Sequence, residues 1–120
     1  MADKNYRLTL SASSLIDDKV KNSQDENIGD LKELMIDVQS GRVAYGVLDF
    51  GGILGMGNKL FAVPWQAFSV DEENKILRLD VDKDRLKNAE GFDLSSWPDT
   101  ADTEWGQKIH DYYGYTPHWD

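Results

Sequence analysis

The side chains able to do chemistry are few here, and their spacing excludes most reactions. His110 and His118 are the only imidazoles, and there is no cysteine, so thiol nucleophiles, thiol redox chemistry, disulfide scaffolds and thiolate-bound zinc are excluded. His110 precedes Asp111, and His118 lies between Pro117 and Trp119. A metal site would need further ligands brought in by folding, and no spacing along the chain suggests one. The run Gly51-Gly52-Ile53-Leu54-Gly55-Met56-Gly57 has P-loop spacing from Gly52 to Gly57, but Asn58 stands in the lysine's place, and neither Lys59 nor Leu60 supplies the hydroxyl. Its order, G-x-x-G-x-G, is not the dinucleotide fingerprint either. Asp80-x-Asp82-x-Asp84 opens like a calcium loop, yet Arg85 holds the sixth position, where the sharp turn needs glycine, and Gly91 the twelfth, where a bidentate glutamate belongs. No serine sits in a G-x-S-x-G elbow. The expectation is no catalytic residue, no metal, no cofactor and no enzyme.

Charge narrows the partners. Thirteen basic against twenty-two acidic side chains give a formal charge of -9, which argues against a sequence-independent grip on nucleic acid and against docking on anionic lipid. No stretch approaches the roughly 20 apolar residues of a membrane span, and the polar start, Met1-Ala2-Asp3-Lys4, has no apolar targeting core. A soluble, cytoplasmic protein is expected. With 120 residues, 40% of them hydrophobic, one domain with its own core is the default.

The elements that must position these residues read mainly as strands. Short alternating segments are predicted over residues 6–10, 19–22, 28–38, 43–50, 59–63 and 75–81. Ser11, Ser13 and Ser14 suggest a turn or a single helical turn, since serine hydroxyls can accept from its open N–H groups. Residues 28–38 change phase, with Leu31 on one face and Leu34, Ile36 and Val38 on the other; a bulged strand explains this, and an amphipathic helix through Leu31, Leu34 and Met35 is the alternative. Gly41 and the glycines Gly51, Gly52, Gly55 and Gly57 mark turns, and Pro64 closes its strand. Residues 43–50 are apolar on both faces and should be covered on both. Asp82 can cap a short helix through Leu86, with Gly91 ending it or the following turn.

Beyond Val81 the character changes. Phe92, Trp97, Trp105, Tyr112, Tyr113, Tyr115 and Trp119 supply over half of the thirteen aromatics, so the tail is expected to be ordered. Asp102 or Thr103 can cap a helix that places Trp105, Ile109, Tyr112 and Tyr113 on one face and ends at Gly114. Such a helix must pack, against its own sheet or a second subunit. The candidate interaction surface comprises Ile53, Leu54 and Met56 at the glycine-loop tip, with Trp65, Phe68, Trp105, Tyr112, Tyr113 and Trp119.

The runs Ile28-Gly29-Asp30-Leu31 to Asp37, Gly41-Arg42-Val43-Ala44-Tyr45-Gly46-Val47, and Gly51 through Lys59-Leu60-Phe61-Ala62-Val63-Pro64-Trp65 together resemble the PRC-barrel family, which includes the cytoplasmic domain of the photosynthetic reaction centre H subunit. The resemblance implies a small, strongly bent antiparallel β-barrel over residues 6–86. Residues 87–120 then form an aromatic-rich extension with a short helix, similar to the tail of free-standing bacterial members. It also implies a non-catalytic interaction or assembly module for a protein partner, expected to be a homodimer. An auxiliary regulator of a membrane photosynthetic or respiratory electron-transfer complex is one alternative, and a small-ligand-binding or enzymatic barrel another. No functional residue of the family carries over.

Overall fold

The computed structural model describes residues 8–50 and 59–120. The strands are β1 (Lys19–Lys21), β2 (Asn27–Asp37), β3 (Arg42–Asp49), β4 (Lys59–Pro64), β5 (Phe68–Asp71), β6 (Ile76–Leu79) and β7 (Phe92–Asp93). Helices are α1 (Ala12–Leu15), α2 (Lys83–Lys87) and α3 (Thr103–Tyr113), with a 3-10 turn at Trp65–Ala67. The strands make one sheet in the order β5-β6-β1-β2-β3-β4-β7.

β2 is the bulged strand that the phase change predicts. Its pairing with β3 slips between Leu31 and Glu33 and again between Met35 and Ile36, and each slip bends the strand and redirects its side chains. The helical alternative is thereby excluded. Gly29 permits a close approach to β3: it has φ +127°, and a Cβ there would lie 2.3 Å from the Asp49 carbonyl oxygen.

β3 is apolar on both faces because both are covered. Leu48, with Phe61 and Val63 of β4, joins Val20, Ile28, Leu31, Leu77, Leu79 and Leu86 in the main core. Tyr45 and Ala62 pack instead with Ile109 of α3. Buried Asn22 is satisfied locally: its Oδ1 accepts from Gln24 N and Glu26 N, and its Nδ2 donates to Glu26 Oε1. Across the turn, Arg78 holds Asp25 at 2.8 Å and Asp71 at 3.4 Å.

Three expectations need correction. Among the described residues the sheet is open: β5 and β7 end it without pairing to each other, so no closed barrel is seen. It is also not wholly antiparallel, because β1 runs parallel to β6, a pairing made reachable by the long connection through β2–β5. Leu8 to Leu10 form no strand, and Leu8 and Leu10 are exposed, so their alternation has no core to face. The remainder of the predicted first strand, and all of Gly51, Gly52, Ile53, Leu54, Gly55, Met56 and Gly57, lie outside the described residues.

Smaller elements follow their local chemistry. In α1 the serines work differently from expectation: Ser11 makes no side-chain cap, and Ser14 Oγ donates to the Ser11 carbonyl at 2.7 Å. Gly41 turns the β2–β3 hairpin with φ +77°. Pro64 ends β4 before the 3-10 turn. Asp82 caps α2, accepting from Arg85 N at 2.8 Å, and that helix ends at Asn88 rather than Gly91. β6 stops at Leu79, and Val81 packs half-buried beyond it.

Candidate functional site

The residues richest in chemistry meet where α3 and the segment after it cross β3 and the end of β2. Asp102 starts α3, its Oδ1 accepting from Glu104 N at 3.0 Å, and Gly114 stops it in the left-handed conformation. The buried side of the helix carries Gly106, Ile109 and His110. Gly106 is a contact point, since a Cβ there would lie 2.8 Å from Tyr45 Oη and 2.9 Å from the Trp119 ring. With the two rings where they stand, a side chain at this position would have to displace one of them.

Tyr45 is the hub. Its ring is 2% exposed and touches Trp105, His110 and His118 at centroid distances of 5.3, 5.3 and 5.4 Å. Burial pushes its hydroxyl up to about 12, so it remains an O–H donor at neutral pH. His110 Nδ1 donates to the Gly106 carbonyl at 2.7 Å, which leaves Nε2 as the lone-pair nitrogen. Desolvation holds the imidazole below its ordinary value, keeping it neutral. Tyr45 Oη and His110 Nε2, one donor and one acceptor, are both buried without a hydrogen-bond partner among the described residues.

His118 anchors the final turn to the sheet. Its Nδ1 donates to Asp37 Oδ2 at 2.8 Å, and Asp37 Oδ1 accepts from Gln39 N at 3.0 Å. The bond from His118 is the main cause holding the Asp37 carboxyl below its ordinary value. Beside this pair opens a cleft of about 380 Å³ whose walls include Met35, Ile36, Val38, Tyr45 and Trp119. Val38 is 90% exposed, Ile36 51% and Trp119 40%.

Of the aromatics that the sequence offered as an interaction surface, most are engaged within the chain itself. Trp65 stacks on Phe68 at 5.1 Å, and both pack against the main core. Trp105 meets Tyr45 edge-on. Tyr112 Oη donates to the Arg85 carbonyl at 2.6 Å, Arg85 Nη2 returns a bond to the Tyr112 carbonyl, and the guanidinium lies over the Tyr112 ring. Tyr113 packs between the two cores, and burial raises its hydroxyl. Trp119 alone of these stays open beside the cleft. Sequence reasoning missed Ile36 and Val38 as its neighbours, although their phase on β2, opposite to Leu31, was the signal. It also missed Asp37 with His118, which no local spacing connects.

The buried imidazole makes stability depend on pH. Its folded value lies below the ordinary 6.5, so the unfolded chain binds more protons as the pH drops below that point and stability falls. Asp111, Asp120 and His118 also act on this ring, and Asp37 titrates in a lower, carboxylate window. Urea unfolding at pH 7.5 and 5.5 should show a loss for the wild type and a smaller one for His110→Gln, whose amide can still donate to Gly106. Equal losses would mean that His110 is not the titrating group.

Among the described residues, no group of three or more His, Cys, Asp or Glu side chains could hold a metal ion. No helix there is long and apolar enough to cross a membrane. Among solved structures, the chain is similar to a 16S ribosomal RNA processing protein, RimM, of Pseudomonas aeruginosa. The identity is 17% and the TM-score 0.49, with 69% of this chain and 50% of that one covered. This chain therefore spans half of that protein's length. No curated protein matches the chain. The PRC-barrel domain matches residues 9–86, and by that match, which takes in every strand from β1 to β6, the chain belongs to the PRC-barrel family.

Proposed function

We propose that this PRC-barrel domain is a non-catalytic interaction module that binds a protein partner on the face formed by the end of β2, the β2–β3 turn and Trp119. The observation that carries the reading is the exposure of Val38, at 90%, and Ile36, at 51%, beside Trp119 at the margin of a cleft. Exposed apolar side chains gathered around a concavity are the usual mark of a contact surface. The use of the imidazoles supports the non-catalytic part, because His110 bonds to the helix backbone and His118 to Asp37. The first stays within α3, and the second fastens the final turn to the sheet.

Affinity capture from the native cell, with the wild type compared against an Ile36→Ser, Val38→Ser double variant, tests the reading. Both positions are exposed, so the variant should keep its circular dichroism spectrum and melting temperature. A protein partner recovered by the wild type and lost by the folded variant is the expected result. Identical recovery by the two would remove this face from the function.

A further inference from the structure

The chemistry of the cleft narrows what can fill it, taking the interaction reading above as its basis. Its apolar wall, with Met35, Ile36, Val38, Tyr45 and Trp119, suits one large aliphatic or aromatic side chain. Among the described residues its titratable lining is two carboxylates, Asp37 and Asp102, and the imidazole of His118, with no lysine or arginine. The two acids differ in what remains to them. Asp37 uses one oxygen on His118 and the other on Gln39 N. Asp102 is exposed and uses Oδ1 for the helix cap, and its Oδ2 has no hydrogen-bond partner among the described residues. Asp99 and Glu104 lie within three residues of it, and residues 99–107 contain no basic side chain.

We infer that the cleft accepts a segment of a different protein, one that presents an apolar anchor side chain flanked by lysine or arginine. The anchor displaces solvent from the Ile36, Val38 and Trp119 wall, which supplies affinity. The basic flank meets Asp102 and the acidic start of α3, which supplies orientation and speed of encounter. A second copy of this chain is a poor occupant. Its excess of nine acidic over basic residues would bring like charge to an already acidic rim, and like-charge juxtaposition is penalised across an interface.

Selection from a random peptide library displayed on phage, with the intact protein as bait, supplies the probes. Enriched peptides should pair an apolar residue with neighbouring lysine or arginine. Asp102→Asn is the discriminating variant, because asparagine caps a helix as well as aspartate does and only the charge is lost. For an exposed pair, the variant should weaken the selected peptides about threefold and flatten their dependence on salt. Ile36→Ser with Val38→Ser should abolish binding. Peptides that need Ile36 and Val38 but carry no basic residues, or that ignore Asp102→Asn, would overturn the charge inference and leave the interaction reading intact. If no enriched peptide depends on Ile36 and Val38, both fail. A dimer in sedimentation equilibrium that dissociates on the Ile36→Ser, Val38→Ser change would instead identify a second copy as the occupant and overturn the inference.

Discussion

Gly29→Ala is expected to destabilise the protein by about 3–4 kcal/mol, more than most single substitutions do. Two costs add. The backbone at φ +127° lies where side chains are strained, and the new Cβ would sit 2.3 Å from the Asp49 carbonyl oxygen and 3.3 Å from Leu48 Cδ1. Neither neighbour can easily yield, since Asp49 is backbone of the paired strand and Leu48 is fully buried. Gly41→Ala provides the comparison. Gly41 also has positive φ, +77°, but nothing lies within 4 Å of its Cβ position, so only the left-handed strain of about 1 kcal/mol applies. Urea unfolding of both variants separates strain from collision. Equal losses would show that the approach of β2 to β3 is not what requires glycine.

Phe61→Ala should cost about 3–5 kcal/mol. Phe61 is almost completely buried in the main core, and its ring meets Phe50 edge-on at a centroid distance of 6.1 Å. The space is also closed from the other side, because a Cβ on Gly91 would stand 2.9 Å from Phe61 Cε1. The surrounding core side chains, Phe50 among them, are themselves buried and packed, so little collapse into the vacated volume is expected, and the cavity penalty adds to the lost transfer free energy. A domain of this size is stable by only about 5–15 kcal/mol, so one such change removes a large share. The midpoint in urea should fall sharply with an unchanged slope. A shift below about 1 kcal/mol would mean that the core repacks around the hole.

Local chemistry was the legible part. The caps at Asp82 and Asp102, the stop at Gly114, the hairpin turn at Gly41 and the end of β4 at Pro64 each depend on residues within a few positions of one another. The bulges in β2 were readable for the same reason: the shift from Leu31 to the Leu34 and Ile36 phase occurs inside one strand. The parallel pairing of β1 with β6 was not readable, because it depends on how the intervening sheet bends. Alternation at Leu8 and Leu10 misled, since period carries no information about whether a facing layer exists. The candidate surface suffered from a related ambiguity. An aromatic ring can serve a core or a contact equally well, and only the placement of α3 decides that Trp105 meets Tyr45 and Tyr112 meets Arg85 of α2 whereas Trp119 stays open. The bond between His118 and Asp37 spans 81 positions, far beyond any local pattern.

That span also sets the condition on which the cleft exists. One of its walls comes from residues 35–38 and another from His118 and Trp119. With His118 undocked from Asp37, Val38 would project from a hairpin with no concavity beside it. The cleft is therefore a property of the docked arrangement and of neither segment alone, so a partner that needs both walls senses whether residues 118 and 119 lie against the sheet.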